Sequence, residues 1–360
     1  MKQIKLFDPF VDESDRKAVN DVLDSHFWAS GAGGGHVKKF EEKFAKYIGS
    51  KKCVAVNSGT AALNLALSMY DIKNKEVILP SLSFVSTANA VIENGGIPKF
   101  VDIDEKTLCI DPKKIEKSIT KKTELILPVH FAGLAANIKE ISNICKKYNL
   151  SCVEDAAHAA GTKYNKKKIG SHSSLVCFSF HPVKNLAMPT GGLISINTKD
   201  HKNISTEFEE KRWCGITNRK NVDYDIKKPG WNYYMNEFSA AIGLSQLKKL
   251  DKTNNIRQKI SKQYFKNICI ENKMPFDLEC SYHFYWIRVK NRTKFRRKLI
   301  SKGIETGTHY KPIHTFSYYR SKQSLPITEK IGQEIVTLPT HPNLSDEDVE
   351  KIISTINQLI

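Results

Sequence analysis

Three stretches of the sequence carry side chains suited to covalent and acid–base chemistry, and each directly follows a short apolar run. Lys184 follows the run that ends at Phe180, and a lysine amine there can bond covalently to an aldehyde. Asp155 follows residues 152–154, and a carboxylate at the mouth of a sheet can hold a protonated ring nitrogen. Residues 57–61 read Asn-Ser-Gly-Thr-Ala after a third run. Small residues that open a helix leave backbone N–H groups free for a phosphate.

Each of these signals also has an ordinary explanation when it is taken alone. Lys184 could be one more solvated lysine, Asp155 a helix cap beside a surface His158, and the Ser-Gly-Thr segment a cap without a ligand. Taken together, the three signals favour a binding site over these ordinary explanations, because a phosphate cradle, an acid and a lysine each follow a strand. Pyridoxal phosphate offers a phosphate, a ring nitrogen and an aldehyde to those three groups, so the sequence predicts that cofactor.

The elements that must position these residues follow an alternating pattern. Apolar runs typical of buried strands alternate with helical periodicity between about residues 50 and 200, which predicts parallel βαβ units. The expected strands cover 53–56, 77–79, 99–103, 125–129, 152–154, 175–180 and 191–196, and the expected helices cover 60–70, 86–93 and 138–148. Ligands of such a sheet bind outside the carboxyl ends of its strands, where the three candidate stretches fall.

The chain is long enough, at 360 residues, for a large domain and a smaller one. A long amphipathic helix is predicted from Asn236 to Leu250 and beyond, followed by a strand at 282–289 and helices at 293–302 and 346–359. We therefore expect an α/β protein whose mostly parallel central sheet is flanked by helices. The expected division is a large cofactor-binding domain at 1–250 and a smaller α+β domain at 251–360.

Composition and charge exclude several classes of protein. The net charge of +18 could indicate a polyanionic partner, but no long basic block with interleaved aromatics occurs, so a lysine-rich surface is favoured over nucleic-acid binding. The eight cysteines form no C-x-x-C pair and have no His at zinc spacing, so no metal site is expected. The sequence has no signal core and no window of roughly 18 apolar residues, which predicts a cytoplasmic protein without a membrane span.

A series of motifs makes the chain resemble a known family. They are Asn57-Ser58-Gly59-Thr60-Ala61-Ala62-Leu63, Glu154-Asp155-Ala156-Ala157-His158, Ser179-Phe180-His181-Pro182-Val183-Lys184-Asn185, Gly191-Gly192, Gly230-Trp231-Asn232-Tyr233, His309-Tyr310-Lys311-Pro312-Ile313-His314 and Leu338-Pro339-Thr340-His341-Pro342. In this order they resemble the DegT/DnrJ/EryC1/StrS family of sugar-nucleotide aminotransferases, over nearly the whole length. That family belongs to the aspartate-aminotransferase fold type, fold type I, of pyridoxal-phosphate enzymes.

The resemblance implies a role for individual residues. Lys184 matches the Schiff-base lysine, Asp155 the partner of the pyridine nitrogen, and His158 the position beside the ring hydroxyl. Phe84 matches the aromatic residue that stacks on the ring. Asn232 matches an asparagine that reaches the phosphate of the neighbouring subunit, which implies a homodimer with shared active sites. The remaining contacts implied are Ser58, Gly59, Thr60, Ala61 and Ser179 for the phosphate, and His181, His309, Tyr310 and His314 for the substrate.

The resemblance also implies a reaction. A nucleotide-linked keto sugar would be aminated with glutamate as the donor, in the synthesis of surface polysaccharides, glycans or related amino sugars. His158 and the run Ser179-Phe180-His181 favour a 4-keto-6-deoxy sugar, whereas Tyr234 and the glycine-rich residues 31–35 depart from the family pattern and leave the sugar open. The alternatives are a cyclitol or 3-keto sugar as substrate, or a non-catalytic basic scaffold. Related sugar dehydrases carry histidine in place of the lysine, so Lys184 argues against dehydration.

Overall fold

A computed structural model describes residues 3–319 and 323–360 of the chain. Thirteen strands are present in these residues: β1 (Lys52–Val56), β2 (Glu76–Pro80), β3 (Ile97–Val101), β4 (Thr123–Ile126), β5 (Ser151–Asp155), β6 (Lys163–Tyr164), β7 (Lys167–Lys168), β8 (Leu175–Ser179), β9 (Gly192–Ile196), β10 (Ile216–Lys220), β11 (Asp223–Ile226), β12 (Tyr285–Arg288) and β13 (Ile335–Leu338).

The same residues form eleven α-helices. These are α1 (Glu13–Ser25), α2 (Gly35–Ile48), α3 (Gly59–Leu67), α4 (Ser86–Glu93), α5 (Pro112–Ser118), α6 (Ile138–Tyr148), α7 (His201–Lys211), α8 (Glu237–Asn267), α9 (Arg292–Ser301), α10 (Pro326–Glu334) and α11 (Asp346–Leu359). No helix among the described residues is both long enough and apolar enough to cross a lipid bilayer.

Seven strands form the central sheet, in the order β1-β9-β8-β5-β4-β2-β3. Strand β9 pairs antiparallel with both β1 and β8, and every other pairing in this sheet is parallel. Since β1 and β8 both oppose β9, they run in the same direction, and their carboxyl ends lie at one edge with that of β5. The predicted α/β fold with a mostly parallel central sheet is confirmed.

Helices cover both faces of this sheet because successive side chains of a strand point to opposite sides. In β1, Val54 and Val56 lie in the core shared with α3 and α4, whereas Cys53 and Ala55 lie in the core shared with α2 and α8. All five residues of β9 are buried, as expected for a strand covered on both faces.

The C-terminal part of the chain packs against the same body. Strands β12 and β13 form a separate antiparallel pair, and a third core joins Trp286 and Ile352 to Val101 and Ile126 of the central sheet. The predicted division at residues 250 and 251 falls inside α8, a continuous helix of 31 residues. The two predicted domains are therefore joined by a helix and a shared core, and no linker lies at that point.

Candidate active site

The edge formed by the carboxyl ends of β1, β5 and β8 opens into a cavity of about 330 Å³. Ligands of open α/β sheets bind at this edge. Eleven of the residues predicted from the sequence line this cavity: Ser58, Gly59, Thr60, Phe84, Asp155, His158, Ser179, His181, Lys184, His309 and Tyr310.

The start of helix α3 forms one end of the cavity. Ser58 is its N-cap, and the Ser58 Oγ accepts the N–H of Ala61 at 3.1 Å. The N–H groups of Gly59 and Thr60 have no acceptor inside the helix, because the first turn of a helix leaves its donors unpaired. The helix dipole adds to their attraction for an anion. Ala61, which the sequence predicts as a phosphate contact, has its N–H occupied by Ser58 instead.

Glycine is required where three elements converge at this end. A Cβ atom on Gly59 would lie 2.6 Å from the Ser179 Cβ, and one on Gly192 would lie 2.2 Å from the carbonyl oxygen of Ser58. The two glycines therefore let β8 and β9 approach the start of α3 closely. The Ser179 hydroxyl is brought beside the free N–H groups, and together they form a cradle suited to a phosphate.

Asp155 ends β5 and is 4% exposed. Its Oδ2 accepts the hydroxyl of Thr87 at 2.9 Å and its Oδ1 accepts the N–H of Ala157 at 3.0 Å. Burial raises the pKa of Asp155, while these hydrogen bonds and the charge of Lys184 act in the opposite direction. A cationic group placed in the cavity would therefore be held strongly, because it would remove the cost of burying this carboxylate.

Lys184 lies in the turn after β8, where its N–H donates to the carbonyl of His181 at 2.8 Å. Loss of hydration in the cavity wall lowers the pKa of Lys184 from 10.5 to about 8, and the charge of Asp155 opposes this change. About one tenth of the Lys184 amine is thus neutral and nucleophilic at pH 7, far more than for a lysine of ordinary pKa.

His158 is 5% exposed and contacts Tyr310 across the cavity wall. The Nε2 of His158 lies 3.1 Å from the Oη of Tyr310, and its Nδ1 lies 3.3 Å from the N–H of Ala132. Burial, with the nearby charges of Lys184 and His309, holds the pKa of His158 well below its usual range. His158 is therefore a neutral imidazole with a hydrogen bond at each nitrogen.

Aromatic rings surround the open side of the cavity. Phe84 is 55% exposed, and its ring centroid lies 6.0 Å from that of Tyr310. Phe7 of the N-terminal segment also lines the cavity and lies 5.6 Å from His309, edge to face. The exposed face of Phe84 is available to stack on a flat ligand.

Two predicted residues lie outside this cavity. Asn232 is exposed, and its backbone carbonyl accepts the Nδ2 of Asn57 at 3.2 Å. The expectation that His314 contacts substrate does not match its position, because its ring is buried. The Nδ1 of His314 lies 2.6 Å from the Ser81 Oγ, and its Nε2 lies 3.3 Å from Glu329, so both nitrogens have partners in the protein.

Among the residues at or beside the cavity that the sequence reasoning missed, Thr87 and Phe7 contact predicted site residues directly. Thr87 reaches Asp155 from helix α4, and the only sequence signal was its place one residue into a predicted helix that follows a strand. Phe7 is held near the cavity because Ile4 pairs with Ile304, a contact between residues 300 positions apart that no local pattern predicts.

The chemistry of these residues fits pyridoxal phosphate. The cradle at Gly59 and Ser179 suits its phosphate, Asp155 suits its protonated ring nitrogen, and Lys184 suits its aldehyde. The fold and this set of groups define the class of pyridoxal-phosphate enzymes.

Comparison with known proteins agrees with this class. Residues 9–357 match the model of the DegT/DnrJ/EryC1/StrS aminotransferase family. The chain is 33% identical to MJ1066, an uncharacterized protein of Methanocaldococcus jannaschii, over 98% of this chain and 97% of that protein.

Two solved structures share the fold over nearly the whole chain. Helicobacter pylori PseC, an aminotransferase involved in the biosynthesis of pseudoaminic acid, superposes with a TM-score of 0.94 at 29% identity, over 99% of each chain. The pyridoxal-phosphate form of Spr1654 from Streptococcus pneumoniae, described as a sugar aminotransferase, superposes with a TM-score of 0.93 at 28% identity, over 99% of this chain and 98% of that one.

The chain belongs to the DegT/DnrJ/EryC1/StrS aminotransferase family, as the sequence motifs predicted. It is a pyridoxal-phosphate-dependent aminotransferase, and the alternative of a non-catalytic scaffold is not supported.

Proposed function

We propose that this enzyme transfers the amino group of glutamate to a keto sugar carried by a nucleotide, with a 4-keto-6-deoxy sugar as the preferred substrate. The observation that carries the proposal is the placement of Lys184 and Asp155 in one cavity, beside a phosphate cradle. The similarity to PseC, an aminotransferase of a sugar pathway, supports a sugar as the acceptor. The product would serve the synthesis of a surface polysaccharide or a related glycan.

The residues of the cavity have different roles in the proposed reaction. Pyridoxal phosphate, when bound, supplies an aldehyde and an electron-withdrawing ring that accept and release an amino group. Gly59, Thr60 and Ser179, which line the cavity, would hold its phosphate, and Asp155 would keep the proton on its ring nitrogen. The neutral Lys184 Nζ takes the proton from the α-carbon of the amino donor and later returns a proton to the acceptor.

The open side of the cavity is proposed to receive the sugar. His181 is exposed at its rim, and His309 and Tyr310 line its wall, so hydroxyl and keto oxygens of a sugar would meet several hydrogen-bonding groups there. His309 stays neutral near pH 7, because burial and the charge of Lys184 lower its pKa to about 4. A neutral imidazole can both donate and accept hydrogen bonds, as recognition of sugar hydroxyls requires.

We also propose a homodimer in which each subunit completes the active site of the other. The exposure of Asn232, outside the cavity of its own subunit, supports the role of a phosphate contact in the partner subunit. The cytoplasmic location expected from the sequence stays a prediction.

Replacement of Lys184 tests the catalytic assignment. We expect Lys184→Ala to bind the cofactor without a borohydride-reducible bond and to lose turnover by a factor on the order of 10⁴ or more. The exposed Lys199→Ala is the matched control and should behave as the wild type. Retained turnover in Lys184→Ala would refute the assignment.

A panel of keto substrates tests the acceptor. The wild type, loaded with cofactor and glutamate, would be offered nucleotide-linked 4-keto and 3-keto sugars and free keto cyclitols, with products identified by mass. Amination of the 4-keto-6-deoxy sugars in preference to the others is expected. Preference for a cyclitol or a 3-keto sugar would favour the alternative acceptors instead.

A further inference from the structure

Asp155 receives a hydrogen bond from an element that begins beyond the neighbouring strand. In the strand order, β4 separates β5, which ends at Asp155, from β2, which leads into helix α4. Thr87, in the first turn of α4, is fully buried, and its hydroxyl lies 2.9 Å from the Asp155 Oδ2. Among the described residues that line the cavity, Ser83 is present and Thr87 is not, so Thr87 can influence a ligand only through the groups it contacts.

A second hydroxyl lies behind that of Thr87. Ser83 is 4% exposed, and its Oγ lies 2.7 Å from the Thr87 Oγ1. An ionised carboxylate can only accept hydrogen bonds, and each hydroxyl carries a single hydrogen. The hydrogen of Thr87 therefore goes to Asp155, and the hydrogen between the two hydroxyls must come from Ser83. The two side chains form a chain in which both hydrogens point toward the carboxylate.

Both oxygens of Asp155 are held by the protein. The Oδ1 accepts the N–H of Ala157 at 3.0 Å, and the Oδ2 accepts the hydroxyl of Thr87. Each carboxylate oxygen has about two acceptor positions, so these bonds fix the plane of the group and leave one position on each oxygen for a donor in the cavity. The bond from Thr87 is strengthened by Ser83, because linked hydrogen bonds polarise one another.

The charges around Asp155 vary, whereas these hydrogen bonds do not. Burial has the largest influence and raises the pKa of Asp155, while its two hydrogen bonds and the charges of Lys184 and His130 lower it. Tyr310 and Cys177 also face Asp155, and burial raises the pKa of both, so they stay uncharged. Lys184 carries no charge whenever its amine is neutral or bonded to an aldehyde. The bond from Thr87 remains in either state.

We propose that Thr87 is a positioning residue, oriented by Ser83, that holds the Asp155 carboxylate ionised and turned toward the ring nitrogen of the cofactor whatever the charge of Lys184. The proposal rests on the proposed role of Asp155 as the partner of that nitrogen. It gives a function to two hydroxyls that would otherwise only satisfy each other's hydrogen bonds inside the protein.

The ionisation of Asp155 can be measured without cofactor or substrate. Carbon NMR of apoprotein labelled at the aspartate carboxyl groups would follow the signal that is missing in Asp155→Asn. Thr87→Val keeps the shape of the side chain without its hydroxyl and should raise the pKa of Asp155 by about 1. Thr87→Ser should return it to the wild-type value. An unchanged pKa in Thr87→Val would overturn the proposal. This measurement does not depend on the reaction catalysed, so it separates failure of the inference from failure of the proposed function.

Ser83→Ala tests the direction of the chain, and it also serves if Thr87→Val does not fold. It removes the donor to Thr87 and leaves the bond from Thr87 to Asp155, so the pKa of Asp155 should rise by a smaller amount, about 0.3 or less. A Thr87 hydroxyl that donated to Ser83 instead would be released to Asp155, and the pKa would fall. A fall or no change would therefore overturn the proposal. The exposed Thr206→Val is the matched control and should leave this pKa unchanged.

The bound cofactor gives a second readout. Nitrogen NMR of cofactor labelled at the ring nitrogen should show a protonated nitrogen in the wild type and in Thr87→Ser, and a partial loss of that proton in Thr87→Val at neutral pH. With the amino donor that the wild type uses best, Thr87→Val should lower the maximal rate of the first half-reaction on the order of 10-fold and leave KM near the wild-type value. A raised KM with an unchanged maximal rate would show a role in binding instead and would overturn the proposal.

Discussion

Replacement of Asp155 by asparagine should lower the pH at which the Lys184 amine becomes reactive. Loss of hydration lowers the pKa of Lys184 to about 8, whereas the negative charge of Asp155 stabilises the ammonium form and raises that pKa. Asparagine has nearly the same shape as aspartate and no charge, so it removes only the stabilisation of the ammonium form by the negative charge. The pKa of Lys184 should therefore fall below about 8 in Asp155→Asn.

The size of the change follows from the charge pair. A unit charge across a cavity of this size, in surroundings of intermediate polarity, contributes about 1 pKa unit, on the order of 1.4 kcal/mol. With a pKa near 8, about one tenth of the Lys184 amine is neutral at pH 7, and with a pKa near 7 about one half is neutral. The capture of an aldehyde at pH 7 should therefore accelerate about fivefold, although turnover falls because the cofactor ring loses its carboxylate partner.

The assay should use an aldehyde that has no ring nitrogen, so that Asp155 does not touch the probe. Apoprotein would be mixed with salicylaldehyde, quenched with borohydride at intervals, and the modified peptide carrying Lys184 quantified by mass at each pH. Lys184→Ala gives the background from other lysines. Glu154→Gln is the matched control, because this neighbouring carboxylate on β5 is buried against His130 and should leave the midpoint unchanged. A midpoint in Asp155→Asn that stays in place or rises would refute the electrostatic reasoning.

Two further predictions concern assembly and stability. If Asn232 acts in the partner subunit, mixing inactive Lys184→Ala with Asn232→Ala and reassociating the subunits should restore about a quarter of wild-type activity, since half of the dimers would carry one intact site; no recovery would place Asn232 in its own subunit. Glu41→Ala should lower the free energy of unfolding by about 3 kcal/mol or more in urea titrations, because it strands the buried guanidinium of Arg212, which Glu41 contacts at 2.6 Å. The exposed Glu42→Ala should change it by less than about 0.5 kcal/mol, and equal effects would show that the ion pair is not responsible.

Local patterns were sufficient to predict most of the elements. The predicted helices at 86–93, 138–148 and 346–359 agree with α4, α6 and α11, because each carries an apolar stripe at helical spacing between polar ends. The apolar runs predicted the position of every strand of the central sheet, but they did not always predict the residue at which the strand ends. The run at 125–129 continues past β4, which ends at Ile126, because Pro128 has no N–H to donate to a neighbouring strand.

Sequence patterns could not predict features that depend on partners far along the chain. The direction of β9 depends on its pairing with β1 and β8, and β1 is distant in the sequence. The predicted domain boundary at 250 lies inside α8, because this single helix runs between two regions that share a core. The position of His314 depends on such a partner as well. Its ring is held by Ser81, 233 positions away, so a motif position alone could not tell a buried ring from one that faces the cavity.

The sequence by itself determined the class of chemistry, since Ser58, Asp155 and Lys184 each follow a strand and parallel strands bring their carboxyl ends to one edge. Only the tertiary structure decided the electrostatic state of these groups and the direction of their hydrogen bonds. The pKa of Lys184 depends on the water that packing excludes, and the hydroxyl of Thr87 finds its acceptor in Asp155, 68 positions away. Both effects arise from atoms brought together by folding, which residue type and spacing do not encode locally.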